Sequence, residues 1–243
     1  MVKERIDIVL TKKGYAQSRE RAKILIMAGA VYVNNERITK TDARISEEAE
    51  IQIKLNPIPY VSYGGVKLEK VLKECNIDIK GKKAIDIGSS TGGFVDCMLK
   101  YGASCVYAVD VGTHQLHDRL RKDLRVRLME GINARYLNFD DIGEKVDVVT
   151  IDVSFISIKK ILPVIKVFLD KGGLVISLIK PQFEVGRYEV GKGGIVKDED
   201  KIKKVIDEIV TFGKGLGLKP LNICEAPRER QKKNREFFIV WEI

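Results

Sequence analysis

The chain of 243 residues has few of the side chains that hold small proteins together through disulfides or metals. Its four cysteines form no CxxC pair, so we expect neither a disulfide framework nor a zinc site, and free thiols suit a reducing cytoplasm. The two histidines, His114 and His117, lie three residues apart, but no cluster of cysteines or carboxylates accompanies them. We therefore expect no metal site.

Long hydrophobic runs are also missing. No stretch approaches the roughly 18 uncharged apolar residues of a membrane-spanning helix, and the first residues, MVKERID, contain no apolar signal region. We therefore expect a cytoplasmic location without membrane partners, and a membrane-lytic protein is disfavoured.

Two motifs that bind phosphate groups are absent as well. There is no GxxxxGK(S/T) loop, and the glycines of residues 88–93 have the spacing GxxxGG rather than GxGxxG. These absences argue against a ligand held through its pyrophosphate. A nucleotide-dependent oxidoreductase is accordingly the weakest candidate.

Positive charge is abundant, and it is concentrated near the start of the chain. The sequence has 43 Lys and Arg against 34 Asp and Glu, which gives a net charge of +9. Residues 1–44 alone contain 10 basic and 5 acidic side chains. Such a balance favours a polyanionic partner, and nucleic acid is the commonest one.

The pattern of the chain predicts two domains. Residues 1–55 suggest two short helices followed by a small sheet, and residues 56–61 form a proline-containing linker. From residue 62 to residue 243, apolar strands alternate with amphipathic helices, which predicts a mostly parallel sheet covered on both faces. The last helix is expected from Asp198 to about Phe212, with Gly213 at its end. The last two strands are expected to pair antiparallel at an edge.

The segment KAIDIGSSTGGF, residues 83–94, predicts a nucleoside-binding turn between a strand and a helix. Its glycines let the backbone approach a ligand closely, and Asp110, about 20 residues further on, is placed for two ribose hydroxyls. Asp86 would repel a pyrophosphate but suits a cation, which favours S-adenosylmethionine. The expected cofactor contacts from this pattern are Asp86, Gly88, Ser90, Thr91, Gly92, Gly93, Phe94 and Asp110. For Phe94, packing in the core of the helix stays an alternative.

Charged residues follow or precede the apolar strands at one edge of the predicted sheet. Asp152 follows VVTI and Lys180 follows VISLI, whereas Glu236 begins the last strand. Ligands bind at the carboxyl edge of open parallel sheets, and a charge that ends an apolar strand is costly unless it is paired or used. Lys67, on a helix before the first core strand, can reach the same edge. Surface ion pairs without chemistry are the alternative.

The segment RIDIVLTKKGYAQSRERAKILIMAGAVYVNNERITK closely resembles the ribosomal-protein-S-four-type RNA-binding domain. The resemblance implies an α+β fold that binds structured RNA, largely by charge and shape. Arg5, Arg19, Arg21 and Lys23 are the expected contacts. An ordinary solvated face remains the alternative for these side chains.

The whole chain resembles the TlyA/hemolysin-A-type ribosomal RNA methyltransferases, which join such a domain to an FtsJ-like methyltransferase domain. The motifs that carry the resemblance are SYGGVKL, DIGSSTGGF, DVSFIS, LIKPQFE, VGKGGIV and NREFF. It implies an α/β, Rossmann-like sheet, S-adenosylmethionine as cofactor, and ribose 2′-O methylation by Lys67, Asp152, Lys180 and Glu236. Asn133 would face the adenine, although a simple turn residue is an equal alternative. The basic segments flanking the site add Arg187, Lys192, Arg228 and Arg230 as expected RNA contacts.

The resemblance implies cytidine in ribosomal RNA, free or in ribosomal subunits, as the target. If extensions at the ends broaden the substrate in this family, the little that the sequence has beyond its two domains favours the large subunit over both subunits. A monomer is expected independently of this. Whether Lys180 removes the hydroxyl proton or only orients the oxygen stays open. A noncatalytic rRNA-binding assembly factor is the main alternative function.

Overall fold

The computed structural model describes residues 3–27, 29–53, 58–186, 189–229 and 233–243. Its contacts divide the chain into two compact units, residues 1–59 and 60–243. This division falls within the predicted linker, residues 56–61, and residues 54–57 lie outside the described parts. The boundaries of the domains and of the linker stay predictions.

The first unit contains two short helices and two small antiparallel sheets. Its elements are β1 (Lys3–Arg5), α1 (Ile6–Lys12), α2 (Arg19–Met27), β2 (Val31–Val33), β3 (Glu36–Arg37), β4 (Arg44–Ser46) and β5 (Ile51–Ile53). Strand β2 lies between β3 and β5, and β1 pairs with β4. The predicted helices and sheet are confirmed, and the pair β1–β4 is an addition to them.

The two helices of this unit bury the apolar residues that recur at helical spacing. Ile6 and Leu10 on α1 pack with Ala22 and Ile26 on α2, and all four are fully buried. On α2, Arg19 and Arg21 are exposed and Lys23 is half-buried.

The second unit alternates strands and helices along the chain. Its elements are α3 (Tyr63–Glu74), β6 (Lys83–Ile87), α4 (Gly93–Lys100), β7 (Cys105–Asp110), α5 (Asp118–Arg121), β8 (Val126–Glu130), α6 (Phe139–Ile142), β9 (Val146–Ile151), α7 (Leu162–Ile165), β10 (Leu169–Ile179), α8 (Pro181–Glu184), α9 (Glu199–Gly215), β11 (Lys219–Glu225) and β12 (Phe237–Glu242).

Seven strands of this unit form one sheet in the order β11-β12-β10-β9-β6-β7-β8. Strands β6 to β10 are parallel, and β12 runs antiparallel to both of its neighbours. The predicted mostly parallel sheet is therefore confirmed, as is the antiparallel pairing of the last two strands. Because β12 is inserted beside β10, its first residues lie where the parallel strands end.

Apolar layers cover both faces of the sheet, as expected for continuous apolar strands. On β12, Ile239 and Trp241 contribute to one layer, and Phe238 and Val240 contribute to the other. This alternation follows from the two-residue period of a strand. The layers fix the strands and, with them, the side chains at the strand ends.

Helix α9 corrects one prediction from the sequence. Asp198 caps it as expected, because its side chain accepts hydrogen bonds from the amides of Asp200 and Lys201. The helix does not end at Gly213, however, but continues to Gly215. A Cβ at position 213 would lie 2.5 Å from the ring of Trp241, so the glycine makes room for the indole inside the helix.

Candidate active site

The four charged residues expected at the sheet edge come from four separate elements. Asp152 follows β9, Lys180 follows β10, and Glu236 precedes β12. The register pairs Ile179 with Phe237, so the chain positions just beyond that pair also adjoin. Lys67 projects from α3.

These four side chains form two lysine–carboxylate pairs. The Lys67 Nζ lies 2.5 Å from Glu236 Oε2, and the Lys180 Nζ lies 2.5 Å from Asp152 Oδ1. Lys180 also donates a hydrogen bond of 3.0 Å to the hydroxyl of Ser154. All four side chains are mostly buried, between 12% and 21% exposed, so each charge needs its partner.

Two adjoining clefts open at this edge, and they share Gly88, Ser90 and Asp152 in their walls. The first cleft also has Gly64, Lys67, Asp86 and Glu236 in its wall. The second cleft is bordered by Val109, Asp110, Ile132, Asn133 and Phe155. The lysine–carboxylate pairs thus adjoin the first cleft, and the predicted ribose-binding residue lies in the second.

Asp86 is a buried carboxylate with one oxygen available to a ligand. Its Oδ1 accepts a hydrogen bond of 2.6 Å from the Thr150 hydroxyl, and no described residue donates to its buried Oδ2. Burial raises the pKa of Asp86 to about 7. A buried acceptor of this kind is costly when left alone, so a cationic group in the first cleft fits it well.

Asp110 is held rigidly at the end of β7. Its Oδ2 accepts from the Ser90 amide and its Oδ1 from the Gly112 amide, both at 2.7 Å. Each carboxylate oxygen has two lone pairs, so both oxygens can still accept a hydroxyl. The side chain is therefore preorganised for a diol such as that of ribose.

The glycines of the turn are required by the protein's own packing. Gly88 has φ = +86°, and a Cβ there would lie 2.4 Å from the Asp152 carbonyl oxygen. At Gly93, a Cβ would lie 2.3 Å from Ser62 Oγ. Gly92 (φ = +94°) also has a left-handed backbone. Close packing against the segments that carry Asp152 and Lys67 therefore accounts for Gly88 and Gly93, and packing against Leu116 and Leu120 accounts for Gly92, together with the expected approach of a ligand.

The other expected cofactor residues lie at the clefts in two ways. Ser90 and Thr91 are exposed in the wall of the first cleft. Phe94 is 3% exposed and packs against Phe238, with ring centroids 6.0 Å apart, while it also borders that cleft. Asn133 accepts a hydrogen bond from the Arg135 amide and lines the second cleft. Both alternatives for Phe94 and for Asn133 are thus compatible with their positions.

Phe155 is a residue of this site that the sequence analysis missed. It is 90% exposed, has φ = +64°, and its ring packs against that of Phe183, with centroids 5.0 Å apart and planes tilted by 50°. Left-handed backbone is rare for a bulky residue and is typical of functional sites. The DVSFIS motif contains the residue, but only the structure reveals its exposure.

In the first unit, two expected RNA contacts bind a buried carboxylate. Arg5 donates to Asp7 at 3.0 Å and 3.2 Å, and Arg19 donates to it at 2.8 Å. Hydrogen bonds from Arg5 and then from Arg19 lower the pKa of Asp7 to about 2, although the side chain is fully buried. Arg21 is exposed and Lys23 is half-buried.

The expected RNA contacts of the second unit are only partly described. Arg228 borders the first cleft, with its Nε 3.7 Å from a Glu225 carboxylate oxygen. Arg187 and Arg230 lie outside the described residues, as does the side chain of Lys192. Their expected contacts with RNA stay predictions.

The histidines do not share a helix. His117 caps α5, since its Nδ1 accepts from the Arg119 amide at 3.1 Å, and His114 precedes it with φ = +57°. Over the described ranges of the chain, no three His, Cys, Asp or Glu side chains are grouped to hold a metal. None of the described helices combines the length and hydrophobicity needed to cross a bilayer.

Comparison with known proteins agrees with this architecture. A family model described as FtsJ-like methyltransferase matches residues 60–242, and an S4 domain model matches residues 4–51. YqxC of Bacillus subtilis, provisionally named an rRNA methyltransferase, is 47% identical over 98% of this chain and 85% of that protein. The 16S/23S rRNA (cytidine-2′-O)-methyltransferase TlyA of Mycobacterium tuberculosis is 35% identical over 97% of this chain and 88% of that protein.

A solved structure from Streptococcus thermophilus, provisionally described as a hemolysin, has a TM-score of 0.77 and 42% identity. The match covers 100% of this chain and 89% of that one. With its S4 domain, its seven-stranded sheet and these relatives, the chain belongs to the FtsJ-like methyltransferases, in their TlyA/hemolysin-A-type group.

Proposed function

We propose that this protein uses S-adenosylmethionine to methylate a ribose 2′-hydroxyl of ribosomal RNA, at a cytidine. The observation that carries the proposal is that Lys67, Glu236 and Asp152, the partner of Lys180, line the same cleft as Asp86. Membership of the family, and the activity named for TlyA, support the same reaction. TlyA is named for both 16S and 23S RNA, and we take a 23S cytidine as the first target to test.

The residues of the two clefts fit the parts of the cofactor. Asp86 suits its cationic end, Asp110 suits the ribose hydroxyls, and the apolar walls at Val109 and Ile132 suit the adenine. When bound, S-adenosylmethionine supplies an activated methyl group on a sulfonium. The open Oδ2 of Asp86, which accepts no bond from the described chain, is the independent support for a cation in this place.

The lysine–carboxylate pairs suit the demands of the acceptor. A ribose hydroxyl is a weak acid and a poor nucleophile, so it must be oriented and its developing negative charge must be stabilised. Lys180, fixed by Asp152 and Ser154, presents an amine for hydrogen bonding to that oxygen. Lys67, fixed by Glu236, adds a second positive group at the same cleft. Alignment of hydroxyl and methyl contributes much of the rate enhancement.

Exposed aromatic and basic groups suit the RNA. The ring of Phe155 offers a face for stacking of a base, and such stacking contributes about 1–3 kcal/mol. Arg228 and Lys233 in the wall of the first cleft, and Arg21 in the first unit, suit backbone phosphates. These contacts bring sequence-independent affinity, whereas the base and its neighbours decide the target.

The direct test uses ribosomal subunits from a strain that lacks the activity. Purified protein is incubated with each subunit and with S-adenosylmethionine labelled on its methyl group, and the modified nucleotide is mapped. The proposal predicts label on the 2′-oxygen of a cytidine. Binding of the cofactor without transfer to either subunit would overturn the proposal and favour a noncatalytic assembly factor.

A further inference from the structure

The segment that begins at Lys180 and the segment that begins at Asp152 contact each other through a series of side chains. Lys180 contacts Asp152 and Ser154, as described, and three residues further on the ring of Phe183 packs at a tilt against that of Phe155. Residues 180–184 and residues 152–158 therefore form two strips, which are two chain segments held together by contacts at several positions. The last fastening is made by Glu184.

Both carboxylate oxygens of Glu184 accept hydrogen bonds from the 152–158 segment. Its Oε2 accepts a hydrogen bond of 2.6 Å from the Ser157 hydroxyl, and its Oε1 accepts one of 2.8 Å from the Ile158 amide. Hydrogen bonds to a charged acceptor are shorter and stronger than those between neutral groups. The side chain is half-buried and is part of the wall of neither cleft. Its contacts thus serve the 152–158 segment and not a ligand.

Neither strip is stable in its conformation without contacts from outside it. Helix α8 has only four residues, which is too short to be stable through its own hydrogen bonds. The partner strip contains Phe155 in a left-handed conformation, and such backbone persists only where the surroundings impose it. Since both strips carry residues of the candidate active site, movement of one strip against the other would separate Lys180 from Asp152.

We infer that Glu184 is a positioning residue that clamps residues 152–158 onto α8 through Ser157 and Ile158, so that Lys180, Asp152 and Phe155 keep their places. This inference rests on the proposed ribose methylation. It assigns Glu184 no contact with the substrate or cofactor. Its effect on the reaction passes through the geometry of the Lys180–Asp152 pair.

Four variants separate the clamp from a general loss of stability. Glu184→Ala removes both hydrogen bonds, whereas Ser157→Ala removes one of them together with the bond that Ser157 Oγ accepts from the Lys159 amide. Glu184→Gln is the conservative rescue, because an amide can accept from the Ile158 amide and donate to the Ser157 hydroxyl. The matched control is Glu144→Ala. Glu144 accepts from the Tyr107 hydroxyl at 2.6 Å and pairs with Lys83 at the start of β6, the opposite edge of the sheet.

The first measurement is kcat for methyl transfer to ribosomal RNA at saturating S-adenosylmethionine, so that altered cofactor affinity does not enter. We expect Glu184→Ala to lower kcat about 10- to 100-fold, the size of effect that a small misplacement of reacting groups produces. Ser157→Ala should lower it less, and Glu184→Gln should stay within about threefold of the wild type. In the double variant Glu184→Ala/Ser157→Ala, the serine substitution should have a smaller effect than it has alone, since only its hydrogen bond with the Lys159 amide is then left to lose.

The second measurement is hydrogen exchange of residues 152–160 in the free protein, which requires no catalysis. Glu184→Ala should accelerate exchange there, and Glu144→Ala should leave it unchanged. The inference is overturned if exchange rises but kcat stays within twofold of the wild type. It is equally overturned if Ser157→Ala lowers kcat by the same factor with and without Glu184, or if exchange in this segment does not change.

The two measurements also separate the clamp from the proposed function. A wild-type protein that transfers no methyl group to ribosomal RNA would end the proposed function and, with it, the catalytic part of the clamp. Acceleration of exchange in Glu184→Ala would in that case still establish the fastening of the two strips. If the wild type is active and Glu184→Ala has the same kcat, only the inference about Glu184 is refuted and the proposed function stands.

Discussion

Burial changes the ionisation of Asp86, the residue that we propose faces the cationic end of the cofactor. Loss of water raises the pKa of its carboxyl group to about 7, and the hydrogen bond from the Thr150 hydroxyl opposes this shift only in part. The group is therefore mostly protonated below pH 7 and mostly ionised above it. A cation binds the ionised form better, so its binding depends on pH.

We predict that the affinity for S-adenosylmethionine rises between pH 6 and pH 8, by up to about tenfold per pH unit below the pKa. Isothermal titration at constant ionic strength measures this dependence. The side chain of Asn in Asp86→Asn is neutral at every pH, so the variant should bind the cofactor more weakly. Its affinity should also lack the pH dependence that comes from ionisation of Asp86, and only the dependence caused by titration of the ligand should remain. Equal pH slopes for the wild type and the variant would contradict the role given to Asp86.

Phe155 gives a second prediction at this scale. Phe155→Leu removes the aromatic face, so we expect turnover on ribosomal RNA to fall about tenfold or more, given the size of base stacking on aromatic rings. The free energy of unfolding should change little, because the ring is 90% exposed. Leu124→Ala is the control, since Leu124 is also 90% exposed but lies outside both cleft walls. Normal turnover of Phe155→Leu would rule out stacking by this ring.

Two arginines of the first unit that are expected to contact RNA have a structural task as well. Arg19 is 49% exposed, yet it holds the fully buried Asp7 together with Arg5. The folded state lowers the pKa of Asp7 from its usual 3.8 to about 2. The stability gained from these bonds is therefore fully present above pH 4 and is lost as the pH falls towards 2.

We predict that Arg19→Ala lowers the free energy of unfolding of the first unit by about 1–2 kcal/mol at pH 7, and by less at pH 3. Native-state hydrogen exchange of α1 measures it without assuming that the two units unfold together. Arg21→Ala should weaken RNA binding without this loss. The same stability for both variants at pH 7 would refute a structural role for Arg19.

The sequence predicted some residues of the site for a clear physical reason. Asp152, Lys180 and Glu236 stand out because each interrupts or bounds an apolar strand. Asp7 does not stand out, since an acidic residue in the first turn of a helix is ordinary. Its burial between two arginines depends on the way α1 and α2 pack, which no local pattern encodes.

At the scale of elements, the long periodic segments were predictable, whereas strands β1 and β4 were not. The parallel strands and α9 have many residues in one pattern. Strands β1 and β4 have three residues each and exist only through their pairing with each other. The end of α9 was predicted wrongly, because Gly213 matched the usual helix terminator while its small size serves the packing of Trp241.

Helix propensity alone predicts that Gly213→Ala stabilises the second unit, but the packing of Gly213 against Trp241 predicts the opposite. Gly213→Ala should lower the free energy of unfolding of the second unit by about 1–3 kcal/mol, because the new methyl group collides with the indole. Gly215→Ala in the same helix meets no described atom within 4 Å, so it should raise that free energy by about 0.5–1 kcal/mol. Urea unfolding followed by fluorescence of Trp241, the single tryptophan, measures both. Stabilisation by both substitutions would show that the indole tolerates the methyl group.

At the scale of the molecule, the sheet gathers residues that lie far apart in sequence. Lys67 and Glu236 are separated by 169 positions and meet because β12 is inserted antiparallel beside β10. The sequence motifs predicted that the four charged residues belong together, whereas the pairing of each lysine with its carboxylate required the strand order and register. In the proposed function, the basic first unit contributes contacts with ribosomal RNA, and the clefts of the second unit contribute the site of cofactor binding and methyl transfer.

The central claim concerns Lys180, and its most direct test is single-turnover methyl transfer to ribosomal subunits by Lys180→Ala. Lys171→Ala is the control, because Lys171 is an exposed lysine at the opposite edge of the sheet. We predict at least about a 100-fold lower rate for Lys180→Ala, in the range of lost acid–base and electrostatic assistance. The variant should still unfold in one cooperative transition, at a somewhat lower temperature because Asp152 loses its partner, and its cofactor affinity should stay within about threefold of the wild type. A folded Lys180→Ala protein that binds the cofactor and transfers methyl groups at nearly the wild-type rate would contradict the claim.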